Sequence, residues 1–181
     1  DELEELRKRV KENEDEVEKV LRELHKLNEE NKEEVDRALE ELRKRVRDIE
    51  EEIKKEPVDE ELLRELERLV DELRRIVEKV IEDAKKLTEE SNELNRRIIE
   101  ESRRLSKELR KIVEDVSRVE NRKDVVDKVR KVIEEVHKRS RDLAKEAREV
   151  NRRVHETTKK LVEDVRRVIE KVEEDVRRKV K

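Results

Sequence analysis

The chain of 181 residues contains a single proline and no glycine, cysteine, methionine or aromatic residue, and 59% of it is charged. Its length allows one domain or at most two. Because tight turns use glycine and strands favour aromatic side chains, this composition excludes a strand-rich fold. The 51 basic residues nearly balance the 55 acidic ones, whereas nucleic-acid and membrane-surface binding use a face of one charge sign. We therefore expect neither nucleic acid nor a membrane as a partner.

The first predicted helix covers about residues 2–55. Apolar or small polar residues recur every three or four positions from Leu3 to Ile53, as on one face of a helix. On the opposite face, acidic residues often precede basic ones by four positions, as in Glu4 and Lys8, which favours a solvated helix surface. Pro57 ends this helix because its ring disfavours helical geometry at the residue before it.

The second predicted helix covers about residues 60–119. Asp59 is a suitable N-cap, and its inward stripe is expected to include Leu73, Ile76 and Val80. A break follows at 119–123, where Asn121 is the residue best suited to a left-handed turn in a chain without glycine. The third predicted helix covers about residues 124–180, with Asp124 as its expected cap.

Three helices of nearly equal length, joined by connections of a few residues, predict antiparallel neighbours. The expected fold is all-α: a long, coiled-coil-like, up-down-up three-helix bundle that forms a single domain over 1–181. The longest apolar runs have two residues, so we expect a soluble protein without a transmembrane segment or signal peptide, and its location stays undetermined.

Polar residues interrupt the inward stripes, and folding at the two turns brings them to common levels. The first predicted layer consists of Asn13, Ser102, Ser106, His137 and Ser140. The second predicted layer consists of His25, Asn28, Thr88, Ser91, Asn92, Asn151, His155 and Thr158. Asn31, Asn95 and Thr157 lie on the same stripes and complete the predicted core network. A buried polar group without a partner costs about 1–3 kcal/mol, so we expect hydrogen-bonded layers that fix the helix register.

The sequence gives less support to a catalytic, metal-binding or pH-responsive function. Ser102 or Ser106 near His137 lacks an orienting carboxylate, and amides inside a helix cannot form an oxyanion hole, so we expect no catalytic residue. The motif Glu134-x-x-His137 occurs once, whereas a di-iron bundle needs two copies, so we expect no metal. A response to pH stays open, because protonated core histidines would become donors without an acceptor lone pair.

The chain resembles a de novo designed helical bundle with buried hydrogen-bond networks. The resemblance rests on the absence of glycine and aromatics, the surfaces rich in Glu, Lys and Arg, the Glu56–Glu61 loop (EPVDEE) and the polar layers. The resemblance covers the whole chain and implies a stable scaffold without enzymatic activity, cofactor or small-molecule partner. We expect a monomer. The alternative is an interaction module that self-associates or binds a partner helix, as three helices of a larger bundle.

Overall fold

The structure is a computed structural model that describes residues 2–120 and 122–180. It contains three helices: α1 (Glu2–Lys55), α2 (Glu60–Ser117) and α3 (Arg122–Val180). The described residues contain no strand, and the three helices pack against each other. The predicted all-α three-helix bundle is therefore confirmed.

Local sequence signals predict the helix ends at the connection between α1 and α2 more accurately than those at the connection between α2 and α3. α1 has its predicted bounds, whereas α2 ends two residues earlier than predicted and α3 begins two residues earlier. Asp124 consequently lies inside the first turn of α3 and not at its cap. This prediction was wrong because a short connection between two long helices carries no proline to mark its end. The predicted turn residue Asn121 lies outside the described residues.

The start of α2 is capped as its sequence predicts. The Leu62 N–H donates to Oδ1 of Asp59 over 2.7 Å, and the Leu63 N–H donates to the Asp59 carbonyl over 2.9 Å. Glu60 and Glu61 follow in the first turn, where the helix dipole favours negative charge. A cap of this kind stabilises a helix by about 1 kcal/mol.

The chain divides into two compact units, each containing a section of all three helices. Unit 1 is Asp1–Glu29 with Ser91–Arg152, and unit 2 is Glu30–Glu90 with Arg153–Lys181. Every helix contributes residues to both units. The single domain expected over 1–181 stays a prediction.

Contacts between side chains show how the helices run in unit 1. Partners on α1 and α3 lie 125 residues apart in two successive pairs, so these helices run in the same direction; the pairs are Glu5–Arg130 and Glu23–Arg148. Partner numbers on α2 fall as those on α1 rise, so α2 runs in the opposite direction; the pairs are Glu14–Arg110 and Asn28–Asn92. Unit 1 is thus an up-down-up arrangement.

Unit 2 has the same arrangement. Partner numbers rise together along α1 and α3, in the pairs Glu34–His155, Glu41–Arg166 and Arg45–Glu173. Partner numbers fall along α2 as they rise along α1, in the pairs Arg43–Glu78 and Glu50–Arg74. These exposed or half-exposed ion pairs report the register, but pairs of this kind contribute little stability.

The apolar cores of the two units are organised differently. Unit 2 has one cluster that includes the fully buried Leu42, Leu66, Leu73 and Ile169. Unit 1 has two clusters, one around Leu6 and Leu109 with Ile133, the other around Leu24, Ile98 and Leu143. On each helix the stretch between these two clusters contains buried polar residues, which are Asn13 on α1, Ser102 and Ser106 on α2, and Ser140 on α3. Polar side chains therefore divide the core of unit 1.

Candidate functional site

Asn151 of α3 is the centre of a buried hydrogen-bonded cluster in unit 1, and 2% of it is exposed. Its Oδ1 accepts a hydrogen bond from Ser91 Oγ over 3.1 Å and a second from Asn95 Nδ2 over 2.7 Å. Ser91 and Asn95 are also buried, and they lie four residues apart on α2, so both face the same side of that helix. The amide of Asn151 thus joins α3 to two successive turns of α2.

Asn92, which follows Ser91 on α2, is hydrogen-bonded to α1. Asn28 Nδ2 donates to Oδ1 of Asn92 over 2.5 Å, and both side chains are half-buried. Within five residues, α2 is therefore hydrogen-bonded to α3 through Ser91 and Asn95 and to α1 through Asn92. Helical geometry explains the two directions, since successive residues point about 100° apart around the axis at 3.6 residues per turn.

Two threonines of the predicted second layer form their hydrogen bonds locally, in unit 2. The Thr88 hydroxyl donates to the Ala84 carbonyl over 2.9 Å, and the Thr158 hydroxyl donates to the Val154 carbonyl over 2.8 Å. A threonine hydroxyl satisfies itself in this way inside a helix without a partner on another helix. Thr88 is half-buried and Thr158 is buried, so their polar groups are satisfied within their own helices.

Two residues of the predicted network lie on the surface, which corrects their placement in the core. His25 is exposed although Leu24 beside it is buried, and Thr157 is exposed although Thr158 is buried. Each lies one position away from the inward row, and a step of one residue turns a side chain by about 100°. Asn31 is half-buried.

Three of the five residues of the predicted first layer line one cavity in unit 1, whereas Ser106 and His137 do not line it. Asn13, Ser102 and Ser140, one from each helix, line a space of about 120 Å³. Among the described residues, Asn13 Nδ2, Ser140 Oγ and Ser106 Oγ have no hydrogen-bond partner. Asn13, Ser102 and Ser140 therefore form the polar side of a cavity, and among the described residues the direct hydrogen bonds expected from the sequence are not made by the unpartnered atoms of Asn13, Ser106 and Ser140.

The remaining histidines are half-buried and lie in different units. In unit 1, His137 Nε2 is buried without a partner among the described residues. In unit 2, His155 Nε2 lies 3.6 Å from Oε2 of Glu34. No motif in the sequence marks Glu34 as a partner of His155, although the parallel run of α1 and α3 places the two residues at the same level. Within the described residues, no group of three or more histidine, aspartate or glutamate side chains could hold a metal ion.

Charged side chains on the helix surfaces perturb one another where a guanidinium contacts two carboxylates. Arg96 donates to Glu93 over 2.6 Å and to Glu100 over 3.0 Å. The hydrogen bond and the opposite charge raise the pKa of Arg96 and lower the pKa of Glu93. Glu78 of α2 raises the pKa of Arg43 on α1 in the same manner, with help from Glu40. These groups are exposed and form part of the solvated surface.

No protein-family model matches the chain, and comparison with curated proteins and with solved structures gives no significant match. None of the helices, over the residues described, combines the length and the apolar character needed to cross a membrane. The buried polar cluster and the cavity of unit 1 are therefore the features from which we infer a function.

Proposed function

We propose that the chain is a structural scaffold, similar in kind to designed helical bundles, and that it has no enzymatic activity. In this proposal the buried polar residues fix which turns of the helices lie side by side. The observation that carries it is the acceptance of two hydrogen bonds by Asn151 Oδ1, from Ser91 and from Asn95, at a position where leucine or valine would fill the core without specifying a register.

The observed register of α2 and α3 competes with registers that are shifted by one heptad. Sliding α3 by one heptad against α2 moves it by about 10 Å and keeps apolar rows in contact. The same slide replaces Asn151 by Ala144, which has no side-chain acceptor, or by Thr158, whose side-chain oxygen reaches one bond less far than an asparagine Oδ1 and already bonds to the Val154 carbonyl of its own helix. In the observed register the Ser91 and Asn95 donors are paired, while Asn151 Nδ2 and Asn95 Oδ1 have no partner among the described residues. A slipped register leaves the Ser91 and Asn95 donors unpaired, at about 1–3 kcal/mol each, so the observed pairing is favoured.

Register can be measured with spin labels on cysteines, because the chain has no cysteine of its own. Lys107 on α2 and Lys145 on α3 are both exposed in unit 1, so K107C and K145C give two labels whose separation reports sliding. We expect a single distance distribution. When Ser91→Ala, Asn95→Leu and Asn151→Leu are introduced together, we expect a second distance to accompany it, since an all-apolar layer no longer opposes the slide.

The triple variant separates specificity from stability. Replacing buried polar residues by well-packed apolar side chains often leaves a protein equally or more stable. A triple variant that keeps one distance distribution would therefore refute the proposed role of the cluster, even if its stability rises. The control is the exposed substitution Thr157→Ala in the chain that carries the same two labels, which should keep one distance distribution.

A second proposal is an interaction module that binds a partner helix or a second copy of the chain. It is supported by four large apolar side chains that remain 37–38% exposed, namely Leu27, Ile76, Val119 and Val168. Light scattering at neutral pH distinguishes the two proposals. A mass of 22.1 kDa supports the monomeric scaffold, whereas a dimer or larger assembly supports the module.

A further inference from the structure

The cavity of unit 1 is built from all three helices and combines two kinds of wall. Its polar wall consists of Asn13 from α1, Ser102 from α2 and Ser140 from α3. Its apolar wall includes Val17, Leu21, Leu24 and Ile98. The polar residues are nearly inaccessible to solvent, with 2% of Asn13, 4% of Ser102 and 7% of Ser140 exposed.

The polar wall has unused hydrogen-bonding capacity. Among the described residues, Asn13 Nδ2 and Ser140 Oγ have no partner, although buried polar groups in folded proteins are nearly always paired. Both atoms belong to residues that line the same cavity. A cavity holds a water molecule at about 10–15 Å³, so the 120 Å³ available here admits a larger guest.

The charges around the cavity are balanced, which selects a neutral guest. Glu16 and Arg141 line it and form an ion pair of 3.7 Å, and Arg148, which also lines it, pairs with Glu23 over 3.5 Å. A charged guest would have to leave water for a site whose fixed charges already have partners, and that transfer is costly.

We propose that this cavity binds a small neutral amphiphile, of the class of short branched alcohols. Its oxygen accepts a hydrogen bond from Asn13 Nδ2 and exchanges a second with the Ser140 hydroxyl, while its alkyl group contacts Val17, Leu21 and Ile98. This binding is additional to the scaffold role and differs from the expectation from the sequence that the chain has no small-molecule partner.

The test is a titration of the full chain with tert-butanol, followed by NMR of the valine and leucine methyl groups. The affinity ceiling for a guest of about five non-hydrogen atoms lies in the micromolar range, so we expect shifts that saturate at micromolar to millimolar tert-butanol and are confined to residues such as Val17 and Leu21. Ser140→Ala removes one hydrogen bond and should weaken binding about fivefold. Ala144→Leu places a larger side chain in the cavity wall and should abolish the saturable shifts.

Ser106→Ala is the matched control, because Ser106 is also buried with an unpartnered hydroxyl but does not line the cavity. Its affinity for tert-butanol should equal that of the parent chain. Shifts that never saturate, shifts that persist unchanged in Ala144→Leu, or equal weakening by Ser140→Ala and Ser106→Ala would each overturn the proposal. Contacts from the cavity methyl groups to exchanging water that tert-butanol does not displace would also overturn it. Circular dichroism of each variant establishes that the helices remain folded.

Discussion

The hydrogen bond between Ser91 and Asn151 can be weighed by a double-mutant cycle. Ser91→Ala and Asn151→Leu are made singly and together, and the free energy of unfolding of each chain is obtained from urea denaturation. In the parent chain Asn151 Oδ1 accepts from Ser91 Oγ over 3.1 Å, with both side chains buried. A neutral hydrogen bond of this kind contributes about 1 kcal/mol net, and we expect a coupling energy of that size.

The single variants should differ in a way that the geometry dictates. Asn151→Leu leaves two buried donors, on Ser91 and Asn95, without their acceptor, at about 1–3 kcal/mol for each. Ser91→Ala leaves Asn151 Oδ1 with the 2.7 Å bond from Asn95, so it should destabilise less. The leucine also gains about 1.5–3 kcal/mol from burying its side chain, which makes the coupling a cleaner measure than either single change.

A second cycle provides the comparison. Thr157 is exposed and belongs to unit 2, whereas Ser91 is buried in unit 1, so Thr157→Ala combined with Ser91→Ala should be additive within about 0.3–0.5 kcal/mol. If the Ser91 and Asn151 changes are additive within the same margin, the hydrogen bond does not contribute to stability, contrary to this prediction. A coupling energy of opposite sign would contradict the prediction more strongly.

Three further predictions concern the cap, the core and the surface. Asp59→Ala removes the acceptor of the Leu62 N–H and should lower the stability by about 1 kcal/mol, measured by urea denaturation. Leu73→Ala, at 1% exposure, should cost about 2–5 kcal/mol, and Ile76→Ala, at 37% exposure, clearly less; equal losses would contradict the burial seen here. In a carbon NMR titration Glu93 should lose its proton at a lower pH than ordinary glutamates, because Arg96 lowers its pKa. The contribution of Glu93 to stability is therefore present above the ordinary glutamate pKa and is lost as the pH falls through the lowered pKa. Arg96→Gln should move that titration upwards.

Features with a local cause could be predicted from the sequence. The end of α1 follows from Pro57, and the start of α2 follows from Asp59, whose carboxylate accepts from the Leu62 N–H as expected. Both signals act through the backbone within a few residues, so they need no knowledge of the other helices. The all-α fold follows in the same way from a composition without glycine or aromatics and from apolar residues at helical spacing.

The exact edge of each buried row could not be predicted in this way. Ile76 was expected inside and Val77 was not singled out, yet Val77 is 1% exposed and Ile76 37%. The same displacement by one residue separates the exposed Thr157 from the buried Thr158. A helix has 3.6 residues per turn, so residues at the edge of a stripe face the core or the solvent according to where the neighbouring helix lies.

Three helices, their antiparallel order and the inward polar residues on each of them follow from the amino-acid sequence alone. Which of these polar residues bond to one another depends on how the helices pack. This packing places Asn151 within 3.1 Å of Ser91 and within 2.7 Å of Asn95, and it places Asn13 and Ser140 around a cavity. Helical periodicity shows which side of a helix a residue faces, but it does not give distances to another helix. A hydrogen bond between two helices forms only when donor and acceptor approach to about 3 Å.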